Sequence, residues 1–180
     1  MILIKYVLGI GLAALTLLSC SNEQSLQRYL VDRQDDDAFL KVDIAASLLQ
    51  ADSDNLSQEE KDILATVKKI NVVAYPIKGE NAADYEVKRQ ELKDIIDQKQ
   101  YKMLMKYGSS KQGATLKYLG EEDAIDEIIV FASDDEKGFA LFRLLGDKME
   151  PAKMMKLMNA IEKGDVDVSK LKSIGSIFDM

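Results

Sequence analysis

Apolar residues recur along this chain at two periods, and each change of period marks a change of element. Leu40, Val42 and Ile44 alternate with polar neighbours, which predicts a strand over 39–44. Residues 45–50 either extend it or turn into a short helix. Ser57-Gln58-Glu59-Glu60 is a capping box, and the stripe Ile63, Leu64, Val67 behind it predicts a helix ending near Lys69. Residues 70–77 are apolar on both faces, as in a buried strand rather than an edge, and Pro76 marks its end. A second helix is predicted over 82–99, with Tyr85, Leu92, Ile95 and Ile96 facing inward.

The period then falls to two. Tyr101, Met103, Met105 and Tyr107 point one way, Lys102, Leu104 and Lys106 the other, and Leu116 and Tyr118 resume the pattern after a turn at 108–113. The most apolar strands, 125–132 and 139–145, are separated by Ser133-Asp134-Asp135-Glu136-Lys137-Gly138. Polar, glycine-containing connections between successive strands predict a four-strand antiparallel meander closed by Gly146. Pro151 suits a first helical turn, Met154, Leu157, Met158 and Ile161 share one face of that third helix, and Gly164 is its expected cap. Beyond it Leu171, Ile174 and Phe178 keep helical spacing. The expected architecture is one α+β domain over 38–180: a mostly antiparallel sheet containing the meander, with about three helices packed on one face.

The chain opens differently. Lys5 precedes an apolar run over 6–18 that is interrupted only by Thr16 and is shorter than the ~20 residues a spanning helix needs. Leu17-Leu18-Ser19-Cys20 follows. This resembles the bacterial lipobox, a branched apolar residue and a small residue ahead of cysteine. The resemblance implies that residues 1–19 are a cleaved lipoprotein signal peptide, and that Cys20 carries diacylglycerol on its thiol and often an acyl group on its new amine. Each buried methylene contributes ~0.8 kcal/mol, so two or three chains anchor permanently where one binds reversibly. Residues 20–37, polar and ending in Asp35-Asp36-Asp37, read as the lipidated cysteine and a tether with a short helix around Leu26, Tyr29 and Leu30. Ser21 stands where an aspartate would retain an enteric lipoprotein at the inner membrane. By the same resemblance the expected location is the outer membrane, facing the periplasm.

Charge and composition narrow the function. With 31 acidic against 24 basic residues the net charge is −7, and the leader holds just one of the basic ones. An acidic domain repels phosphate backbones, so nucleic acid is excluded as a partner. There is no histidine, and Cys20 is the only cysteine. Histidine-based acid–base catalysis, Ser-His-Asp triads and Cys/His nucleophiles are therefore absent, as is the commonest zinc ligand. No disulfide staples the domain, so its core alone must hold it.

The remaining constellations read as structure. Met103, Met105, Met154, Met155 and Met158 fall at strand and helix periods, as core filling rather than a thioether site for copper(I). Residues 35–37, 121–123 and 134–136 read as solvated loops. Asp52-Ser53-Asp54 begins like a calcium loop, but Leu56 and Ile63 stand where ligands are needed. The stripe Tyr101, Tyr107, Tyr118 is core if covered, and a sugar, peptide or protein surface if open. Asp43, Asp126 and Glu127 are the only acids within predicted strands, and the last two point to opposite faces, so they cannot act as a pair together.

The order of lipobox, two strands, a tyrosine-bearing helix and a meander ending in Leu144-Leu145-Gly146-Asp147, with the phrase Asp126-Glu127-Ile128-Ile129-Val130, resembles a Gram-negative envelope lipoprotein family, the domain of unknown function numbered 4252. That resemblance implies a class and no site. No catalytic, cofactor or metal residue is predicted, and Cys20 is the one residue with an assigned role, lipidation. The expected function is a membrane-anchored, non-enzymatic binding or interaction domain, meeting the membrane through Cys20 and a protein partner in the envelope. The alternative is an envelope hydrolase using paired carboxylates.

Overall fold

Six antiparallel strands in the order β1-β2-β6-β5-β4-β3 carry the domain. They are β1 (Leu40–Ala45), β2 (Val67–Pro76), β3 (Lys102–Gly108), β4 (Gln112–Glu121), β5 (Ala124–Asp134) and β6 (Gly138–Met149). The computed structural model describes residues 24–51, 56–109, 111–154 and 156. Within them the helices are α1 (Leu26–Asp32), α2 (Ala46–Ala51), α3 (Gln58–Thr66) and α4 (Ala82–Ile96), with a 3-10 turn at Gly79–Asn81 before α4. Residues 151–154 are helical, as Pro151 predicts; Leu157, Met158, Ile161, Gly164, Leu171, Ile174 and Phe178 lie outside the described residues.

The α+β class and the meander β3-β4-β5-β6 are as expected. The placing of the helices is not: they cover both faces of the sheet. Successive residues of a strand point to opposite faces. Ile70, Val72 and Ala74 of β2 therefore pack with Ile63 and Leu64 of α3, while Val73 and Tyr75 pack with Leu92, Ile95 and Ile96 of α4. β2 is apolar on both sides, so a single helical layer would leave one side in water. Burying each such side chain contributes ~1.5–3 kcal/mol, and the second layer follows from that.

Local signals set the element ends. The Ser57 hydroxyl accepts from the Glu60 N–H at 3.3 Å, and the Glu60 carboxylate accepts from the Ser57 N–H at 2.8 Å, completing the capping box of α3. α3 ends at Thr66, three residues before the expected boundary, because Val67 already adopts extended geometry and pairs with Gly146. β6 runs through Gly146 to Met149 instead of stopping there; a Cβ on Gly146 would lie 2.5 Å from the Thr66 carbonyl oxygen. Residues 45–50 resolve as β1 passing directly into α2.

α1 changes the reading of the stretch 20–37. Ser25 caps it, its hydroxyl accepting from Arg28 N–H at 3.2 Å, and Leu26 and Tyr29 are fully buried. Arg33 then grips Glu91 of α4 through two bonds of 2.5 and 2.6 Å. The helix expected within a tether is part of the packed domain. It closes over an aromatic cluster centred on Phe139, with Tyr75 stacked at 5.5 Å and Phe39 edge-on at 6.2 Å.

Candidate functional site

Two features stand apart from the apolar core, one buried and one exposed. The buried one is a polar row on the α1–α4 face. Cross-strand pairing aligns Asp43 with Asn71 and Asn71 with Arg143. Arg143 donates to Glu127 at 2.8 Å and to Gln27 of α1 at 2.5 Å, with the Arg143 and Glu127 side chains 7% and 6% exposed. Asp43, near the open end of the row, accepts from Asn71 at 2.6 Å and from Lys69 at 2.7 Å. Partial burial works against its charge, but those two hydrogen bonds and the lysine outweigh it and hold its carboxyl below the usual aspartate range. Beside the row, burial and then the Glu127 charge push the Tyr101 hydroxyl up to about 12.

This row does not assemble a pair of catalytic acids. The strands of Asp43 and Glu127 are three steps apart in the sheet, ~14 Å at ~4.8 Å per strand, beyond the ~5–10 Å spacing of glycosidase carboxylates. Arg143 lies between them and is bonded to Glu127. Asp126 is exposed and sits at a register shift between Ile125 and Glu127. The row makes two ties, Asp43 with Lys69 and Asn71 joining β1 to β2, and Arg143 with Gln27 and Glu127 joining β6 to α1 and β5. The sequence shows Asp43, Asn71, Glu127 and Arg143 as polar residues set within apolar strands, but not that Gln27 and Arg143, 116 residues apart, would meet.

The exposed feature is β3. Every residue of this terminal strand is exposed, including Met103 (52%), Met105 (59%) and Tyr107 (77%). The expected core role of Met103 and Met105 is thereby corrected. Strict alternation also fails: Met103 pairs with Lys117, but Met105 pairs with Leu116, so a bulge at Leu104 turns the two methionines to opposite faces. The tyrosine stripe divides likewise. Tyr101 is buried on the α4 face and Tyr118 on the α3 face, while Tyr107 stands in solvent. Between β3 and α4 runs a groove of ≈ 290 Å³ lined by Arg89, Lys93, Met103, Lys106, Thr115 and Phe131, among others.

The other sequence candidates take structural places. Met154 is buried against the α3 face, whereas the Met155 and Met158 side chains, Cys20 and Asp52-Ser53-Asp54 lie outside the described residues. Asp134 Oδ1 accepts from the N–H groups of Glu136 and Lys137, closing its own turn. Among the described residues no group of three or more carboxylates gathers to hold a metal ion, and no helix is long and apolar enough to cross a membrane.

The model of a family described as a domain of unknown function, DUF4252, matches residues 29–157. The chain belongs to this family. The DUF4252 match begins inside α1 and ends past the helical turn after β6, so it takes in the whole sheet with both its edges. Neither a curated protein nor a solved structure matches the chain.

Proposed function

We propose that this protein is a lipid-anchored envelope lipoprotein whose DUF4252 domain serves as a non-enzymatic binding module. Cys20, lipidated after removal of residues 1–19, holds it to the membrane, at the outer membrane and facing the periplasm. The observation that carries the binding role is the fully exposed β3, an apolar strand at the end of the sheet. The lipobox-like run Leu17-Leu18-Ser19-Cys20 carries the anchor.

The fold gives the anchor a consequence. Ser21 to Gln24 alone separate Cys20 from the cap of α1, a span of at most ~17 Å at ~3.4 Å per residue. The domain therefore sits against the bilayer instead of being lifted off it. The Gln24 carbonyl accepts from Gln98 at 3.0 Å, which supports an orientation with residues 97–101, just ahead of β3, on the headgroup side. β3 starts at that end and runs away from the membrane, leaving Tyr107 and the hairpin tip reachable from the periplasm.

Cys20→Ala is expected to move the protein from the membrane to the soluble fraction on cell fractionation. Unchanged membrane association would end the anchor reading.

A further inference from the structure

We infer that β3 is a strand-addition site, and that its occupant is an extended, acidic segment of another envelope protein. This rests on the binding-module reading and names its partner class. A terminal strand presents a row of backbone N–H and C=O groups that pair with any extended chain of suitable side chains. Here that strand is seven residues long, ~23 Å at ~3.3 Å per residue, enough for an ordinary ladder. The exposed Met103, Met105 and Tyr107 supply apolar contacts on either side of it.

Charge selects the occupant. From Tyr101 to Gly120 the chain carries four lysines and no acid, within a protein of net charge −7. Lys117 is committed to the end of α4, donating to the Ile96 carbonyl at 2.6 Å and to Asp97 at 2.5 Å. Lys102 caps the Gly120 carbonyl at 3.1 Å and lies over the Tyr118 ring. Lys106 and Lys111 are exposed and make no ion pair among the described residues. In the adjoining groove Arg89 is paired with Glu86 at 2.6 Å and Asp97 with Lys117 at 2.5 Å, which leaves Lys93 to add positive charge on the α4 side. The acidic turn at 134–136 lies two strands inward but at the same end as the hairpin tip, where the Asp135 N–H donates to the Lys111 carbonyl at 2.9 Å, so the positive charge clear of it on β3 itself is that of Lys102 and Lys106.

A second copy of this chain fits the same edge poorly. Pairing β3 with β3 gathers Lys102 and Lys106 of both copies on one ribbon, and the Leu104 bulge twists it; lysines and bulges are the devices by which sheets refuse a like edge. An acidic strand meets Lys106 as a counter-charge, and charges facing across a strand pair stabilise it when opposite and destabilise it when alike.

The test uses the purified full chain in detergent and fluorescent octapeptides alternating valine with glutamate or valine with lysine. The Val–Glu peptide is expected to give a saturable anisotropy change that weakens with salt, and the Val–Lys peptide none. Methylating its alternate backbone nitrogens on the pairing side should abolish binding. Lys106→Glu with Lys111→Glu, judged folded by an unchanged urea midpoint, should weaken it about tenfold or more. Absence of saturable binding, equal binding of Val–Lys, or indifference to methylation would each overturn the inference. So would a concentration-dependent dimer or anionic-vesicle binding lost in Tyr107→Ser while the Val–Glu peptide fails to bind. Cys20→Ala protein should bind the peptide equally well, so failure of the anchor and failure of this site are read separately.

Discussion

The two ends of the sheet are built on different terms. β1 is tied in by much more than its ladder to β2. Lys41 donates to the carbonyls of Arg33, Gln34 and Asp36 at 3.1, 2.9 and 2.8 Å, fastening the turn that enters the strand. Asp43 is held by Lys69 and Asn71, Ile44 is buried, and the chain passes straight into α2. At the opposite end β3 has its ladder to β4, the contacts of Lys102, and little else. A domain with two edges can spend its packing on one and leave the other for a partner. The inequality is what separates an interaction surface from an ordinary terminus of a sheet.

Substitutions should follow that inequality. The largest effect is expected at the buried ion pair of the polar row, in the middle of the sheet. Arg143→Met leaves Glu127 buried beside no counter-charge and should cost ~3–5 kcal/mol in urea unfolding, with Arg143→Met/Glu127→Leu recovering most of it. A cost below ~1 kcal/mol would mean that the row holds nothing together.

Next comes α1. Leu26→Ala should destabilise by ~2–5 kcal/mol, as for a core leucine, whereas a helix hanging in a tether would show almost no change.

Alkaline pH offers a third break. Burial, then the Glu91 charge, push the Tyr29 hydroxyl up to about 12. A folded pKa above the unfolded value favours the neutral form in the fold. Its contribution is thus complete below about pH 10 and is lost as pH rises toward 12. Two units correspond to roughly 2–3 kcal/mol. Tyr29→Phe should leave stability at pH 7 nearly unchanged and flatten the loss between pH 10 and 12.

The smallest effect belongs to the other edge. Met105→Ala should change stability by less than ~0.5 kcal/mol, because its side chain lies largely in water. Comparable costs for Leu26→Ala and Met105→Ala would erase the distinction between the two ends.

Much of this design is visible in the residue pattern, and the parts that are not have physical reasons. The capping box at Ser57, the stop at Pro76, the inward face of α4 and the meander depend on neighbours within a few residues, where periodicity is informative. Residues 70–77 also carried the clue to a second helical layer, since a strand apolar on both sides must be covered twice. The bulge at Leu104 was hidden because an alternating stretch looks regular until its partner strand is known. The exposure of Met103 and Met105 was hidden with it, since apolar alternation cannot say whether a strand is central or terminal. The polar row was out of reach for a different reason. Gln27, Asn71, Glu127 and Arg143 come from four separate elements, and only the strand order brings them together.

The unequal edges can be measured directly by amide hydrogen exchange of the full chain, alone and with saturating Val–Glu octapeptide. The outward-facing amides of β3 are expected to exchange rapidly in the free protein and to slow when the peptide is present, with β1 unchanged. Slow exchange at β3 in the free protein, or protection that appears at β1 and not at β3 when the peptide is added, would contradict the account.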